Sequence, residues 1–413
     1  MLAGALCGCG SQGSPAAEAV GPLQASAAAS ATPGSCPQTV LDVLGRVLLR
    51  VYREGVFSER TASARALITH SPALRAAVQA GDVAGARAAA EELIATGHMT
   101  NLRVTRGQRT LVDVGGAALT PLGGTLPGLS GEPIADYLTS VWSDRGFIAE
   151  AEGLTQGAVS LRRNGQSIAG SFKLPRGALA AEGALTHDGV HYQYTSFPAT
   201  VYPAGTLRVY LLRTASSIEA LCGQTSEDTV VNTLKRVATL IYQAEGGPRT
   251  LPQIRRVQDD PAMLAAVASR DPVATRAAIF SLLNHHIVRM RVSAGGKLLQ
   301  DVGGPFVLQP VSALLRLHGR VIGSFVLSIQ DDEGYLRLTH RLAGLDVLMY
   351  MSPTHPGAKQ RLVKNSLGPS PGSVPASGPY TYRGHNFQVF TVEGTAFPSG
   401  PLTIRVLVPI PYV

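Results

Sequence analysis

The chain is poor in tryptophan, lysine and cysteine, and it contains no long apolar run. Among its 413 residues are one tryptophan and four cysteines, and only five of the 36 basic residues are lysines. No stretch approaches the roughly 20 apolar residues that a bilayer-spanning helix needs. The formal net charge is +8, but the basic residues are scattered. Because nucleic-acid binding requires a basic stripe or patch, we do not expect nucleic acid as a partner.

Sequence motifs of the common enzyme classes are missing as well. The chain has no Gly-x-Ser-x-Gly, no phosphate-binding P-loop and no Cys–His arrangement typical of a nucleophile. His285 and His286 are adjacent, but no third ligand lies at zinc-site spacing. The sequence therefore predicts a protein that is not an enzyme and that uses neither a metal ion nor a cofactor.

The first 35 residues differ in composition from the rest of the chain. They are rich in Ala, Ser, Gly and Pro, which is typical of a flexible linker. Leu6-Cys7-Gly8-Cys9 resembles the bacterial lipobox, in which a leucine and a small residue precede a lipidated cysteine. The positively charged segment of a signal peptide is absent, which favours a translation start upstream of Met1. We predict a leader and linker at 1–35 with lipidation at Cys9; the alternative is a low-complexity leader with two unmodified cysteines.

The remainder of the chain contains an internal repeat. Asp113-Val-Gly-Gly recurs as Asp301-Val-Gly-Gly, 188 positions later (301 − 113). A period near 190 residues is too long for a solenoid and indicates two related domains, which we place at 36–222 and 223–413. Cys36 and Cys222 each precede the first helical pattern of a repeat. This equivalent placement predicts a disulfide, which an exported protein permits; the alternative is two buried free thiols.

The hydrophobic periodicity predicts the same order of elements in both repeats. A long amphipathic helix comes first, near 39–53 and again from Val230, and shorter helices follow. Strands with period-2 alternation come next. The pattern predicts an α+β fold in which the helices of each domain pack on one antiparallel sheet of five or six strands. Matching Gly170-Ser171-Phe172 to Gly323-Ser324-Phe325 predicts an insertion at 123–158 in the first domain.

The segment from Ile287 to Leu338 resembles the Cache family of extracellular PAS-like sensor domains. Its most specific part is Ser328-Ile-Gln-Asp-Asp, which follows an alternating strand pattern. The resemblance covers the second repeat and, more weakly, the first. It implies two PAS-like domains that bind small ligands, often amino acids or carboxylates, on the sheet face opposite the long helix. The Arg-x-Trp-Tyr pattern of amino-acid-sensing members is absent, so an amino acid is only one of the candidate ligands.

The candidate ligand-binding residues lie in the second repeat. Two arginines project from the non-core face of a predicted strand, and a guanidinium can hold a ligand carboxylate by two hydrogen bonds. The acidic segment that follows could accept hydrogen bonds from a ligand ammonium group. The predicted site residues are Arg289, Arg291, Gln330, Asp331, Asp332 and Tyr335. The alternative is a solvated arginine face followed by an acidic hairpin turn.

The first repeat is not expected to carry the same site. Asn101 stands at the position equivalent to Arg289, and the sequence after Phe172 has no counterpart of Gln330-Asp331-Asp332. We therefore predict an extracytoplasmic sensor, held at the cell envelope by a lipid anchor only, that binds a carboxylate or amino-acid-like ligand in its second domain. A membrane sensor protein is the expected signalling partner. The alternative is a structural or interaction module that binds a protein instead of a small molecule.

The lipobox-like segment generates the first testable prediction. We expect the N-terminal peptide of the exported protein to begin at Cys9 and to carry a covalent lipid there. Such a lipid would attach the protein to the membrane through its buried methylene groups. Mass spectrometry of the purified protein measures this directly. Cys9→Ser should abolish the modification, whereas Cys7→Ser should not. Recovery of an unmodified peptide that contains Cys9 would contradict the prediction.

Overall fold

A computed structural model describes residues 34–96, 99–244, 246–247, 250–283, 287–305, 307–351, 360–369, 371–398 and 400–412. Cys9, His285 and His286, on which predictions were made above, lie outside these residues. The described chain is an α+β protein whose sheets are all antiparallel. None of its described helices is long and apolar enough to cross a membrane.

Seventeen elements form the first half of the chain. They are α1 (Cys36–Glu54), α2 (Glu59–His70), α3 (Pro72–Ala80), α4 (Val83–Thr96), β1 (Asn101–Arg106), β2 (Arg109–Gly115), β3 (Ala118–Leu119), β4 (Leu122–Pro127), β5 (Pro133–Ser140), β6 (Trp142–Ser143), α5 (Asp144–Thr155), β7 (Ala158–Arg163), β8 (Gln166–Gly170), β9 (Glu182–His187), β10 (Val190–Thr200), β11 (Thr206–Thr214) and α6 (Ala215–Glu219). The predicted boundary at residue 222 falls just beyond α6.

The second half of the chain repeats this order. Its elements are α7 (Ser226–Ala244), α8 (Leu251–Gln258), α9 (Pro261–Ala268), α10 (Pro272–Leu283), β12 (Arg289–Ala294), β13 (Lys297–Gly303), β14 (Val307–Leu308), β15 (Val311–Leu317), β16 (Arg320–Ser328), α11 (Asp332–Ala343), β17 (Asp346–Met351), β18 (Arg361–Asn365), β19 (Gly378–Tyr382), β20 (His385–Phe397) and β21 (Gly400–Ile410). The predicted helices and the repeat itself are confirmed at the level of secondary structure.

Each half contains two large sheets, and in the first half β3 and β6 also pair as a small two-stranded sheet, so the expectation of one sheet per domain is wrong. The first sheets have four strands in the orders β2-β1-β5-β4 and β13-β12-β16-β15. The second sheets have the orders β8-β7-β11-β10-β9 and β18-β17-β21-β20-β19, and β14 joins the β20 edge of the latter. If the short β14 is left aside, the first strand along the chain lies in the interior of each of these four sheets, beside the last one.

The predicted insertion at 123–158 is also wrong. Its residues form β4, β5, β6 and α5, and β15, β16 and α11 occupy the equivalent places in the second half. The counterpart of Ser328 is Ser140, at the same spacing of 188 that relates the Asp-Val-Gly-Gly segments. The Gly-Ser-Phe match that suggested an insertion aligned unrelated strands. The real difference in length lies between β17 and β18, which are joined by nine residues where β7 and β8 are joined by the two-residue turn Asn164-Gly165.

The helix α11 contains Tyr335, Leu336, Arg337 and Leu338, although their period-2 alternation is typical of a strand. Asp331 caps α11, because its side chain accepts a hydrogen bond from the amide of Gly334 at 2.6 Å. Asp332 and Glu333 follow in the first turn, where negative charge stabilises the helix dipole. The acidic segment is therefore a helix start and not a hairpin turn. Ser143 caps α5 in the same way in the first half.

One hydrophobic core joins the two halves. The buried stripe of α1 packs against α7 and against α5, α11 and β10. The expectation that this stripe packs only on its own sheet is therefore incomplete. Residues Ser35–Val413 form one compact unit as a result. At the start of α1 the disulfide between Cys36 and Cys222 is present, with a Cα–Cα distance of 5.7 Å.

Equivalent tyrosines tie the long helices to their own second sheets. The Tyr52 hydroxyl accepts a hydrogen bond from the amide of Thr200 at 2.8 Å, and the Tyr242 hydroxyl accepts one from the amide of Thr395 at 2.7 Å. Tyr52 packs edge-on against Phe147, and Tyr242 packs in the same way against Tyr335. Both halves thus use one local arrangement to fix a helix over a strand.

The disulfide generates a prediction about stability. It closes a loop of 186 residues, and in the chain-entropy model such a loop stabilises the folded state by about 5 kcal/mol, which is an upper estimate. We expect the variant Cys36→Ser/Cys222→Ser to unfold at a clearly lower denaturant concentration than the oxidised protein. Reduced wild-type protein should match the variant. Equal unfolding midpoints with and without reductant would show that the crosslink contributes nothing.

Candidate ligand-binding site

The two predicted arginines lie on the expected face of β12 but are already paired. Met290 and Val292 point into the core, whereas Arg289 and Arg291 point away from it. The Nε of Arg289 lies 2.9 Å from Asp301 Oδ1, and the terminal nitrogen of Arg291 lies 2.6 Å from Asp301 Oδ2. Asp301, which lies on the neighbouring strand β13, thus binds both guanidinium groups.

An aromatic ring completes this cluster. Both guanidinium groups lie over Phe397, at 5.2 and 4.7 Å from the ring centre. Arg289 also donates to the carbonyl of Gly304 at 2.6 Å. Burial alone would raise the pKa of Asp301, but the hydrogen bonds and charges of the two arginines outweigh it and hold that pKa below its usual value. The cluster joins the first sheet of the second half to the end of β20.

The first half contains the same arrangement in a more exposed form. Arg103 binds Asp113 at 2.6 Å, and its guanidinium lies over the ring of Tyr202, 5.8 Å from the centre. Tyr202 in turn donates a hydrogen bond to Asp113 at 3.0 Å. Burial, together with the nearby Asp113, raises the pKa of Tyr202. An equivalent cluster therefore exists in the half for which no ligand site was predicted. What the two clusters share is that each connects the two large sheets of its half.

The remaining predicted residues lie at the start of α11 and differ in accessibility. Tyr335 is 0% exposed and belongs to the core shared by the two halves. Asp331 serves as the helix cap. Asp332 is buried, and burial raises its pKa although Lys364 lies 3.8 Å away. Of the predicted site residues, only Gln330 lines a cavity that α1, α8 and α11 enclose together with Trp142.

That cavity lies between the two halves, and we call it the inter-repeat cavity. It has a volume of about 630 Å³. Residues of both halves line it: Glu54, Ser58, Glu59, Arg60, Val141, Trp142 and Glu150 from the first, and Gln253, Ile329, Gln330, Gly334, Arg337, Leu338, Arg341 and Leu342 from the second. Two pairs of equivalent residues face it, Val141 with Ile329 and Trp142 with Gln330, each separated by 188 positions.

Trp142 forms a fixed aromatic wall of the inter-repeat cavity. Its indole nitrogen donates a hydrogen bond to the carbonyl of Val51 at 3.1 Å, which anchors the ring to α1. The guanidinium of Arg60 lies over the ring at 5.4 Å from its centre. The ring also meets Phe147 edge-on. An aromatic surface held in this way can pack against a ligand without losing side-chain entropy on binding.

Polar groups with unused hydrogen-bonding capacity surround this wall. Glu54 and Arg341 form an ion pair across the two halves. Within the described residues, Oε1 of Gln253 and Nε of Arg341 are buried and have no hydrogen-bond partner. A buried acceptor or donor that stays unpaired costs about 1–3 kcal/mol. The inter-repeat cavity therefore offers an aromatic surface, amide groups and both signs of charge to a small polar molecule.

Sequence reasoning missed most of this site. Trp142 was assigned to an insertion, and Gln253, Arg337 and Arg341 were not considered. The available signal was the spacing of 188, which places Trp142 opposite Gln330 once the repeat is aligned through Asp113 and Asp301. The described part of the chain contains no group of three or more His, Cys, Asp and Glu residues that could hold a metal ion.

Comparisons with known proteins give little further information. No family model matches the sequence, and no curated protein matches it significantly. A solved structure of an extracellular ligand binding receptor from Desulfohalobium retbaense aligns with 15% identity and a TM-score of 0.25. The alignment covers 43% of this chain and 39% of that one. A likeness of this size does not bear on the function of either half.

The arginine–aspartate cluster generates a pH-dependent prediction. Because the pKa of Asp301 is lowered in the folded state, its contribution to stability is present above the unfolded-state value near pH 4 and is lost as the pH falls through the folded-state value. We expect Asp301→Asn to lower the free energy of unfolding at pH 7 by about 1–3 kcal/mol. Below pH 4 the difference from wild type should shrink. Denaturant titrations at several pH values measure this.

The repeat supplies a matched control for this prediction. Asp113→Asn removes the equivalent carboxylate, whose side chain is 42% exposed compared with 15% for Asp301. Exposed ion pairs stabilise less, so the loss should be smaller. A larger effect at Asp113 than at Asp301, or a difference that does not depend on pH, would contradict the role given to the cluster.

Proposed function

We propose that this protein is an extracytoplasmic small-molecule-binding protein whose ligand occupies the inter-repeat cavity. The cavity itself is the observation that carries the proposal. Ligand sites are concave, typically 300–1,000 Å³, and combine apolar or aromatic walls with a few polar groups. The inter-repeat cavity has a volume of about 630 Å³, and the Trp142 wall and the polar residues Gln253, Gln330 and Arg341 are in its lining.

The location differs from the one predicted in the second domain. Arg289 and Arg291 are bound to Asp301, so a ligand carboxylate would have to displace an ion pair to reach them. The chain itself covers part of the outer face of each second sheet, through Leu174 in the first half and Val374 in the second. Gln330 is the residue that the predicted site and the proposed one share.

The sheet topology supports an interpretation as Cache-like sensor modules. Both complete second sheets have the strand order 2-1-5-4-3, counted from the first strand of each sheet, and both first sheets have the order 2-1-5-4 if the short β3 and β14 are counted as third strands. An antiparallel sheet of five strands fits the sheet that the resemblance of the sequence around Ser328 to PAS-like sensor domains implies. Each half would then contain two such modules behind one long helix.

The disulfide supports the extracytoplasmic location. Structural disulfides persist in oxidising compartments and are rare in the cytosol. The bond between Cys36 and Cys222 joins residues that the sequence separates by 186 positions. We therefore propose an exported protein, and lipid anchoring through Cys9 remains a prediction.

The charges around the inter-repeat cavity favour a ligand that carries both signs of charge. Arg337, whose ion pair with Glu333 at 3.8 Å is exposed, can receive a carboxylate, and Glu59 can receive an ammonium group. The amides of Gln253 and Gln330 can each donate and accept. A carboxylate or amino-acid-like ligand fits this set, with its side chain against Trp142. No catalytic step is proposed.

A second candidate function is recognition of a protein partner. Phe57 is 81% exposed on the loop between α1 and α2. It borders a surface groove that shares Ser58, Arg337 and Arg341 with the inter-repeat cavity. A large exposed aromatic beside arginines is typical of the centre of an interface. A partner side chain could then occupy the inter-repeat cavity in place of a free ligand.

A ligand screen with matched variants tests the proposal. We expect at least one carboxylate or amino acid to raise the unfolding temperature in a saturable way, as linkage requires for a molecule that binds only the folded state. Trp142→Leu and Gln330→Ala should each weaken the binding of that compound by about 1–3 kcal/mol. Isothermal titration calorimetry measures the change in affinity.

Two controls separate the candidate functions. Gln166→Ala changes an exposed glutamine on β8, outside the inter-repeat cavity, and should leave affinity unchanged. Arg289→Ala should reduce stability without a specific loss of affinity. If a ligand binds the Trp142 and Gln330 variants as tightly as wild type, the inter-repeat cavity is not its site. If no metabolite binds, the proposal of a small-molecule function is wrong and the interface at Phe57 becomes the leading candidate.

A further inference from the structure

A second concave site lies on the outer face of the second sheet in the first half. Three arginines line it, Arg162 and Arg163 on β7 and Arg208 on β11, together with Tyr210 and the glycines of two turns, Gly165 and Gly177. We call it the arginine pocket. Its volume is about 430 Å³, and no Asp or Glu is among its lining residues.

The sheet places two of these arginines directly opposite each other. β7 and β11 are antiparallel neighbours, and their register pairs Arg162 with Arg208. Like charges at directly opposite positions of a sheet repel each other and are destabilising. A third arginine, Arg163, lies at the end of β7 beside the turn at Gly205, where an added Cβ would be 2.8 Å from its guanidinium. The fold therefore concentrates positive charge at this point and tolerates the cost.

The hydrogen bonds hold this charge in place without neutralising it. Arg162 is only 4% exposed, and one terminal nitrogen donates to the carbonyls of Gly165, Pro175 and Gly177 at 2.6–2.8 Å. Its Nε is buried and has no hydrogen-bond partner in the described chain. Arg208 donates to Ser196. All these partners are uncharged, so the positive charges remain available to an anion.

The second half shows that the fold does not need these arginines. At the equivalent positions Tyr350 replaces Arg162, Met351 replaces Arg163 and Thr403 replaces Arg208. Both halves contain an arginine–tyrosine contact, but the two residue types have exchanged positions. Arg162 lies over Tyr210 in the first half, and Arg405 lies over Tyr350 in the second. A carboxylate is also added, because Glu393 stands where the first half has Pro198 and accepts a hydrogen bond from Thr403 at 3.4 Å.

We propose that the arginine pocket is a binding site for an oxyanion, either the carboxylate or the phosphate group of a small molecule. Guanidinium groups bind such planar or tetrahedral oxyanions by paired, charge-assisted hydrogen bonds. An anion at this place would relieve the repulsion between Arg162 and Arg208. The site is separate from the inter-repeat cavity and does not depend on the function proposed for that cavity.

The chain supplies the variants for the test. Arg163→Met/Arg208→Thr gives the first half the residues that the second half carries at these positions. Pro198→Glu leaves every arginine in place and adds the carboxylate found in the second half. Arg109→Met is the control, because it removes an exposed arginine on β2, outside the arginine pocket.

Isothermal titration calorimetry at constant ionic strength is the measurement, with sodium chloride as the reference. Inorganic phosphate and succinate are titrated in separate arms. We expect saturable binding of at least one of them to wild type. Arg163→Met/Arg208→Thr and Pro198→Glu should each weaken it on the order of tenfold or more, which corresponds to about 1.4 kcal/mol. Arg109→Met should bind as wild type does.

The outcomes are distinct. Binding of phosphate alone, or of succinate alone, supports the site and identifies the source of the oxyanion. If neither probe binds saturably above the chloride reference, the proposal is overturned. It is also overturned if either pocket variant binds with wild-type affinity. Should the double variant fail to fold in circular dichroism, Pro198→Glu decides the question by itself.

Discussion

The packing of α1 against α7 is the contact on which the rest of the structure depends. Their apolar stripes, with Leu44 and Val47 on one helix and Leu234 and Val237 on the other, are buried in one core. Because α5 and α11 insert beside them, the two halves cannot separate without exposing that core to water. The inter-repeat cavity follows from this arrangement, since residues of α1, α8 and α11 and the residue Trp142 that precedes α5 line one space.

Hydrophobic periodicity sufficed for much of the local structure. The helix stripes, the alternation that turns Arg289 and Arg291 away from the core, and the order of long helix, short helices and first strands follow from burial of one face at a time. The disulfide was accessible because the repeat placed Cys36 and Cys222 at equivalent starts. These features depend on residues that are close in sequence or related by the repeat.

Other features depend on contacts that the sequence does not order. Alternation over four residues cannot distinguish a strand from a helix turn. At Tyr335 the chain is helical, and the capping hydrogen bond that Asp331 accepts from Gly334 stabilises the start of that helix. Arg289 and Arg291 met the criterion for ligand contacts, but Asp301 on the next strand bonds to both. The inter-repeat cavity combines α1, α8 and α11, which no spacing argument connects. The cavity can be identified only when the packing of the two halves is known.

The helices α1, α5, α7 and α11 contact one another in a reciprocal way, which bears on the origin of the chain. Helix α1 packs on α11, and the equivalent helix α7 packs on α5, which is the self-complementary geometry of an isologous homodimer. A single ancestral half could have paired with a second copy of itself through this surface. Gene duplication and fusion would then have released the two copies from identity. The equivalent positions now differ, since Trp142 corresponds to Gln330, and Arg162, Arg163 and Arg208 correspond to Tyr350, Met351 and Thr403.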